Sequence, residues 1–239
     1  VSEAMSAIAL DLQGVTSGYR TSVVLRALSM SVAGGEAVAL LGKNGMGKTT
    51  LLKTIMGYLP KRAGTIRVNG VDVTRLPPHR IARAGVAYAP QEHAVFQDLS
   101  IRDNLRLGLA DASAFDERFA DVAPLFPVFE SRLKQHAGTL SGGEQKMLLV
   151  ARALMMRPSI LLFDEITEGL QPSVIDRLAE ALLWERERRG TTVLLIEQHV
   201  PFALKVADRY AILKQGEIID HGHTNDAGAA EAIFSHLRV

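Results

Sequence analysis

The chain contains no cysteine in its 239 residues. That excludes disulfides, thiolate metal sites and thiol nucleophiles, and it leaves the redox compartment open. Net charge is nearly absent as well. With 27 basic against 26 acidic residues the sum is +1, so no strong field draws the chain to nucleic acid or to an anionic membrane surface. Long hydrophobic runs are also missing. Although 47% of the residues are hydrophobic, a charge or glycine interrupts each apolar stretch before the roughly 18 residues that a spanning helix needs. Any role at a membrane therefore has to come through a partner. Val1 to Ala7, acidic at Glu3, lacks the basic-then-apolar order of a secretion signal. From Gly222 to Val239 we expect no sizeable regulatory domain.

What is present is an alternation of strand and helix signals. Ile8 to Val15 and Thr65 to Val68 alternate as strands do, with turns at Gly18, Gly34-Gly35 and Asn69-Gly70, and predict a small antiparallel layer. Ala37 to Leu41 is a short apolar run suited to burial on both faces, and a helical segment follows over Lys48 to Met56. Ile160 to Phe163 and Thr192 to Ile196 share that buried character. They bracket a helix whose apolar face carries Ile175, Leu178, Ala179, Leu182 and Leu183, which together predict a parallel sheet. Arg186, Arg188 and Arg189 sit in the last turn of that helix before Gly190, where cations complement the helix dipole, so they read as a helix end rather than a binding patch. From Glu92 to Met156 strand signals give way to helical ones. We therefore expect one domain over 1–239: a core made of 1–91 and 157–239, interrupted by a helical subdomain over 92–156.

The segment Gly42-Lys43-Asn44-Gly45-Met46-Gly47-Lys48-Thr49 matches the phosphate-loop pattern G-x-x-x-x-G-K-[ST], and it lies between a buried strand and a helix start. The glycines let successive backbone N–H groups turn toward phosphates. Lys48 would meet the β- and γ-phosphates, and the hydroxyl of Thr49 would ligate Mg²⁺, with Thr50 closing the loop. Asp164 and Glu165 then emerge at the C-terminal end of a buried strand, where ligands of parallel sheets bind. Asp164 would hold Mg²⁺ and Glu165 would orient or deprotonate the attacking water. Leu140-Ser141-Gly142-Gly143-Glu144-Gln145 opens another helix, with Gln145 nineteen residues before Asp164. Taken alone it is a serine cap with glycines. One ATP has a single set of phosphates, so a second phosphate-gripping helix start is explained if it serves the nucleotide of another copy.

These motifs, in this order, resemble the nucleotide-binding subunits of ATP-binding-cassette (ABC) transporters over essentially the whole chain. The resemblance implies an α/β fold: a P-loop NTPase with a mainly parallel core sheet, an antiparallel β layer and an inserted helical subdomain. It implies an ATPase that binds ATP and Mg²⁺ and forms a head-to-tail dimer with a second, identical or sibling, chain. In that dimer Ser141, Gly142, Gly143 and Gln145 would contact the nucleotide held by the partner. It assigns Tyr19 to the adenine, and Gln91 to the metal and water. Transmembrane permease subunits are implied as partners, and a solute-binding protein indirectly, with no nucleic acid. The implied location is peripheral, at the cytoplasmic face of the inner membrane. Within the family, GKNGMGKTTLLKTIMG, DE-x-TEGLQPS and LLIEQH look most like the ATPases of importers for branched-chain amino acids, urea and short amides.

The chain departs from the family pattern at several places. Ile166 stands where proline usually follows the catalytic glutamate, and Gln171 where an aspartate is usual. Counting thirty-three residues from Glu165 reaches Gln198, with His199 one place later. We expect Gln198 to take the switch position; its amide donates but cannot take up a proton. Phe96 and Leu99, in HAVFQDLS, are expected to line the groove that receives a permease helix. A single-cassette assembly factor is the alternative reading. A small-molecule kinase would leave LSGGEQ without a purpose.

Overall fold

The computed structural model describes residues 7–91 and 95–237. Val1 to Ser6 of the start read above for a signal, Glu92, and His93 and Ala94 of HAVFQDLS lie outside the described residues. In chain order the elements are β1 (Ile8–Ser17), β2 (Leu25–Ala33), β3 (Ala37–Leu41), α1 (Lys48–Ile55), β4 (Lys61–Val68), β5 (Val71–Asp72), α2 (Pro78–Arg83), β6 (Val86–Ala89), α3 (Ile101–Arg106), α4 (Phe115–Val122), α5 (Gly142–Met155), β7 (Ile160–Asp164), α6 (Pro172–Arg189), β8 (Thr192–Glu197), α7 (Val200–Val206), β9 (Arg209–Lys214), β10 (Glu217–His223) and α8 (Ala229–Leu237).

Two sheets form. An antiparallel one has the order β2-β1-β4-β5, and a six-stranded one the order β10-β9-β3-β8-β7-β6. In the second sheet, β6, β7, β8, β3 and β9 run parallel, and only β10 turns back at the edge. The residues of β3, β7 and β8 are all buried, which is what their unbroken apolar sequences require of strands covered on both faces. One apolar cluster, with Leu10, Leu40, Leu51 and Leu162, lies between this sheet, α1 and the antiparallel layer. The other, with Phe163, Leu178, Leu195 and Phe202, packs the opposite face against α5, α6 and α7.

Helix α6 starts on Pro172 and ends at Gly190 in the left-handed region. Its buried face holds Leu178, Ala179, Ala181 and Leu182, whereas Leu183 is exposed, a correction to the face expected from periodicity. The arginines at its end are consumed internally. Arg188 and Arg189 reach Asp121 of α4, which Arg157 also contacts, and Arg186 binds Asp208 and the carbonyl of Val206.

Between β6 and β7 the described residues form helices and short 3-10 turns, with a single antiparallel bridge between Ser100 and His136. Phe115, Phe126, Phe129 and Leu148 of this stretch are buried and continue the cluster that holds Phe163 and Leu178. Among the described residues, no helix is long and apolar enough to cross a membrane.

Candidate functional site

Strand order decides where chemistry can gather. Because β3, β8 and β7 are neighbours in parallel, the phosphate loop, Glu197-Gln198 and Asp164-Glu165 all leave the sheet at the same end. Backbone contact shapes the loop. A Cβ on Gly42 would lie 2.4 Å from the carbonyl oxygen of Leu213, and Gly47 caps α1 at φ 107, so both positions demand glycine. Lys43, Asn44 and Gly45 are exposed along the outer turn. Met46 is tied to the β9–β10 turn, its carbonyl accepting from Gly216 and its sulfur from the Gln215 amide.

Lys48 is buried, with its ammonium donating to the carbonyls of Gly42 (2.7 Å) and Lys43 (3.1 Å) and lying 3.1 Å from Glu165 Oε1. The Thr49 hydroxyl donates to Asp164 Oδ1 at 3.1 Å, and the Tyr88 hydroxyl donates to Oδ2 at 3.2 Å. Asp164 is 0% exposed, and burial pushes its pKa up, against those two hydrogen bonds. Burial, with Asp164 beside it, also raises the Tyr88 phenol, which therefore stays a donor.

Glu165 is the meeting point of the site. Its Oε2 accepts from Gln91 Nε2 at 3.0 Å, and its Oε1 accepts from Gln198 Nε2 at 2.9 Å. The Gln91 amide also donates to Glu168 (2.7 Å), and Lys146 of α5 holds the Gln91 carbonyl. The Gln198 amide reaches back to Asn44 Oδ1 of the phosphate loop at 2.8 Å. His199 is used differently: its Nδ1 accepts from the Phe202 amide at 3.1 Å as the cap of α7. Backbone at Glu165 is left-handed, with φ 48, and Ile166 is 0% exposed, so the strand exit is anchored by burial where a proline ring was expected.

Tyr19, 44% exposed, lines an open cavity of about 500 Å³ together with Val24, Gly45, Lys48, Thr49, Thr50, Gln91 and Glu165. The turn that carries it is clamped by Arg62, which donates to the carbonyls of Arg20, Thr21 and Ser22. Ser141 caps α5 in a reciprocal box with Glu144, and Gln145 Nε2 donates to the Leu140 carbonyl. Ser141 and Gly142 are exposed and Gly143 half-buried. Gln171 caps α6 without a side-chain hydrogen bond.

Sequence reasoning missed Tyr88, Lys146, Thr167, Glu168 and Glu197. The signal for Glu197 was a charge closing an otherwise apolar strand; the others carry no signal short of strand pairing.

A glycine loop, a helix start and paired carboxylates at the C-terminal end of a parallel sheet define a nucleotide-triphosphate site. Comparison with known proteins narrows this. The ABC transporter family model matches residues 25–168. The high-affinity branched-chain amino acid transport ATP-binding protein BraG of Pseudomonas aeruginosa is 40% identical over 92% of this chain and 94% of its own length. The lipopolysaccharide export system ATP-binding protein LptB of Escherichia coli is 37% identical, covering 89% of this chain and 90% of its own. Among solved structures, a nucleotide-free ATP-binding cassette from an ABC transporter superposes with a TM-score of 0.85 at 22% identity, covering 95% of each chain. The chain belongs to the ABC transporter family as an ATP-binding subunit, an ATP-hydrolysing enzyme coupled to transport.

Proposed function

We propose that the chain powers a branched-chain amino acid or related small-amide importer, hydrolysing ATP in a head-to-tail dimer docked on separate permease subunits. One observation carries the catalytic part. Glu165 stands between Lys48, Gln91 and Gln198, at 2.9 to 3.1 Å from each, beside a cavity floored by the phosphate loop. In this reading the backbone from Gly42 to Gly47 cradles the phosphates, Lys48 pairs with the β- and γ-phosphates, and Tyr19 stacks on the adenine. Glu165 orients the attacking water and accepts its proton, and Gln198 donates to the γ-phosphate.

Residue chemistry suits a magnesium ion. Thr49 and Asp164 bring hard oxygen atoms within 3.1 Å of each other, and the buried Asp164 carboxylate favours a nearby cation. Among the described residues no cluster of three acidic or histidine ligands is present, which fits an ion that keeps water and phosphate oxygens as most of its shell. Thr49, Asp164 and Gln91 would hold it, and it would neutralise charge on the β- and γ-phosphates.

Ser141, Gly142, Gly143 and Gln145 present an exposed helix start that would complete the site of a partner chain. The segment 92–156 would act as the helical subdomain that transmits the movement, with Phe96 and Leu99 facing the permease. Phe96 is 56% exposed, with Arg152 6.0 Å from its ring centre, so it is free to be covered. The chain would then sit peripherally at the cytoplasmic face of the membrane.

Similarity to BraG favours import of branched-chain amino acids, and similarity to LptB supports lipopolysaccharide export as the second reading. Affinity purification of Glu165→Gln with ATP from native membranes, followed by mass spectrometry, tests both. Multi-spanning proteins whose deletion abolishes leucine or urea uptake support the first. Partners needed for lipopolysaccharide export support the second, and soluble partners alone refute both.

A further inference from the structure

The last residue of β8, Glu197, is a carboxylate with 1% exposure that the reading above does not use. Its Oε2 accepts from the Thr167 hydroxyl at 2.7 Å and from the Gln198 backbone amide at 3.3 Å, and its Oε1 accepts from the Thr167 backbone amide at 3.1 Å. Thr167 lies two residues past Glu165, and Gln198 follows Glu197 directly. One buried carboxylate therefore grips the backbone on both sides of the catalytic pair, while the Gln198 side chain closes the circuit onto Glu165 at 2.9 Å.

We propose that Glu197 is a positioning residue, a buried strut that fixes the spacing between Glu165 and Gln198 by tying the loop after β7 to the loop after β8. The inference rests on the assignment of Glu165 and Gln198 to the chemistry. Two features of the loop call for such a strut. Glu165 adopts a left-handed backbone that non-glycine residues avoid, so the segment needs outside restraint to hold it. Its own amide is secured by the Ile196 carbonyl at 2.9 Å, one residue before the strut, and Ile166 is fully buried. With Thr167 bound by Glu197, the residues on each side of that backbone turn are anchored to β8 or its core.

Carboxylate chemistry is specific here. Backbone N–H groups of Thr167, Gln198 and His199 point at the acid, and none can reverse its role. Glutamine in the same place would offer one acceptor oxygen and an NH₂ group facing a donor. A buried donor without an acceptor displaces the backbone that carries it. The consequence would fall on the geometry of Gln198 and Glu165 rather than on nucleotide affinity, because the phosphate loop and Tyr19 make no contact with Glu197 in the hydrogen-bond network described.

Steady-state ATPase measurements on the intact chain test the proposal. Glu197→Gln is expected to lower kcat about tenfold, the loss of one hydrogen bond to a charged group, while KM for ATP stays within about twofold. Thr167→Val, which removes only the hydroxyl donor, should lower kcat several-fold, and Thr167→Ser, which keeps it, should restore turnover. Wild-type kcat in both Glu197→Gln and Thr167→Val would overturn the proposal. So would a Thr167→Val protein that melts at lower temperature yet turns over normally per folded molecule, since that is a purely structural role. Should Glu197→Gln fail to fold, the Thr167 pair decides alone. Glu165→Gln serves as the control: if it keeps turning over, the catalytic assignment fails, whereas normal turnover in the Glu197 and Thr167 variants beside an inactive Glu165→Gln defeats the strut alone.

Discussion

Replacing Gln198 and His199 one at a time separates chemistry from helix capping at adjacent positions. Gln198 Nε2 sits 2.9 Å from Glu165 and 2.8 Å from Asn44, so Gln198→Ala removes a charge-assisted hydrogen bond from the carboxylate at the centre of the site. Such bonds contribute about 1.5–3 kcal/mol, which in a transition state corresponds to roughly 10- to 100-fold in kcat. The side chain is exposed, so little stability should go with it. His199 does the opposite. Its ring accepts from the Phe202 amide at the start of α7, and losing a cap costs about 1 kcal/mol, or about 2–4 °C in melting temperature for a chain of this length. His199→Ala should therefore turn over within about threefold of wild type, a margin set by the absence of any transition-state contact. Phosphate release and thermal melting, measured on the same preparations, check both halves. A larger kcat loss in His199→Ala than in Gln198→Ala would refute the reasoning, and with it the assignment of the switch position.

Three further outcomes follow from the geometry. Phe96 is exposed, so Phe96→Asp should leave ATP binding and melting unchanged while the ATPase no longer responds to reconstituted permease; a fallen melting temperature would make it a core residue instead. Asp121→Ala strips a shared partner from Arg157, Arg188 and Arg189, but Arg157 keeps Glu117 and Arg189 keeps Glu185, so the loss should be limited to about 1–2 kcal/mol; an unchanged denaturation midpoint would show that the link between α4 and α6 is inert. Burial raises Glu197 from 4.5 to about 7 against its hydrogen bonds from Thr167. Between those values the folded state binds the extra proton, so this group makes stability fall as pH rises from about 4.5 through 7, by about 3 kcal/mol in total. Denaturation curves across that range should slope less for Glu197→Gln than for wild type, and parallel curves would refute the burial argument.

Much of the fold was readable because burial on both faces leaves a mark on composition. The strands β3, β7 and β8 are unbroken apolar runs, and they run parallel in one sheet as the strand-helix-strand pattern predicts. Strand β2 went unread for a local reason. Ala27 at φ 49 and the register shifts against β1 break the alternation that marks a half-buried strand. Strand β10 alternates exposed and half-buried residues at the sheet edge, but Asp220 and Gly222 stand on the half-buried face, so its sequence shows no apolar period.

Site residues divide along the same line. That Lys48, Thr49, Asp164 and Glu165 lie together was legible, because the phosphate-loop pattern and the acidic strand end fix residue type and local spacing. Tyr88, Thr167 and Glu197 were not, because what they touch is set by strand pairing: Tyr88 pairs with Leu162 on β7, Asp164 with Ile196 on β8, and no count along the chain places them together. The proline expected after Glu165 illustrates the limit. In its place Ile166 is fully buried, and the next residue is bound on both its amide and its hydroxyl by Glu197. A ring restricts the backbone locally, whereas the proposed strut would supply restraint from an acid on β8. If the strut stands in for that ring, Ile166→Pro should shrink the kcat loss that Glu197→Gln causes in the ATPase assay, and an undiminished loss would refute the link.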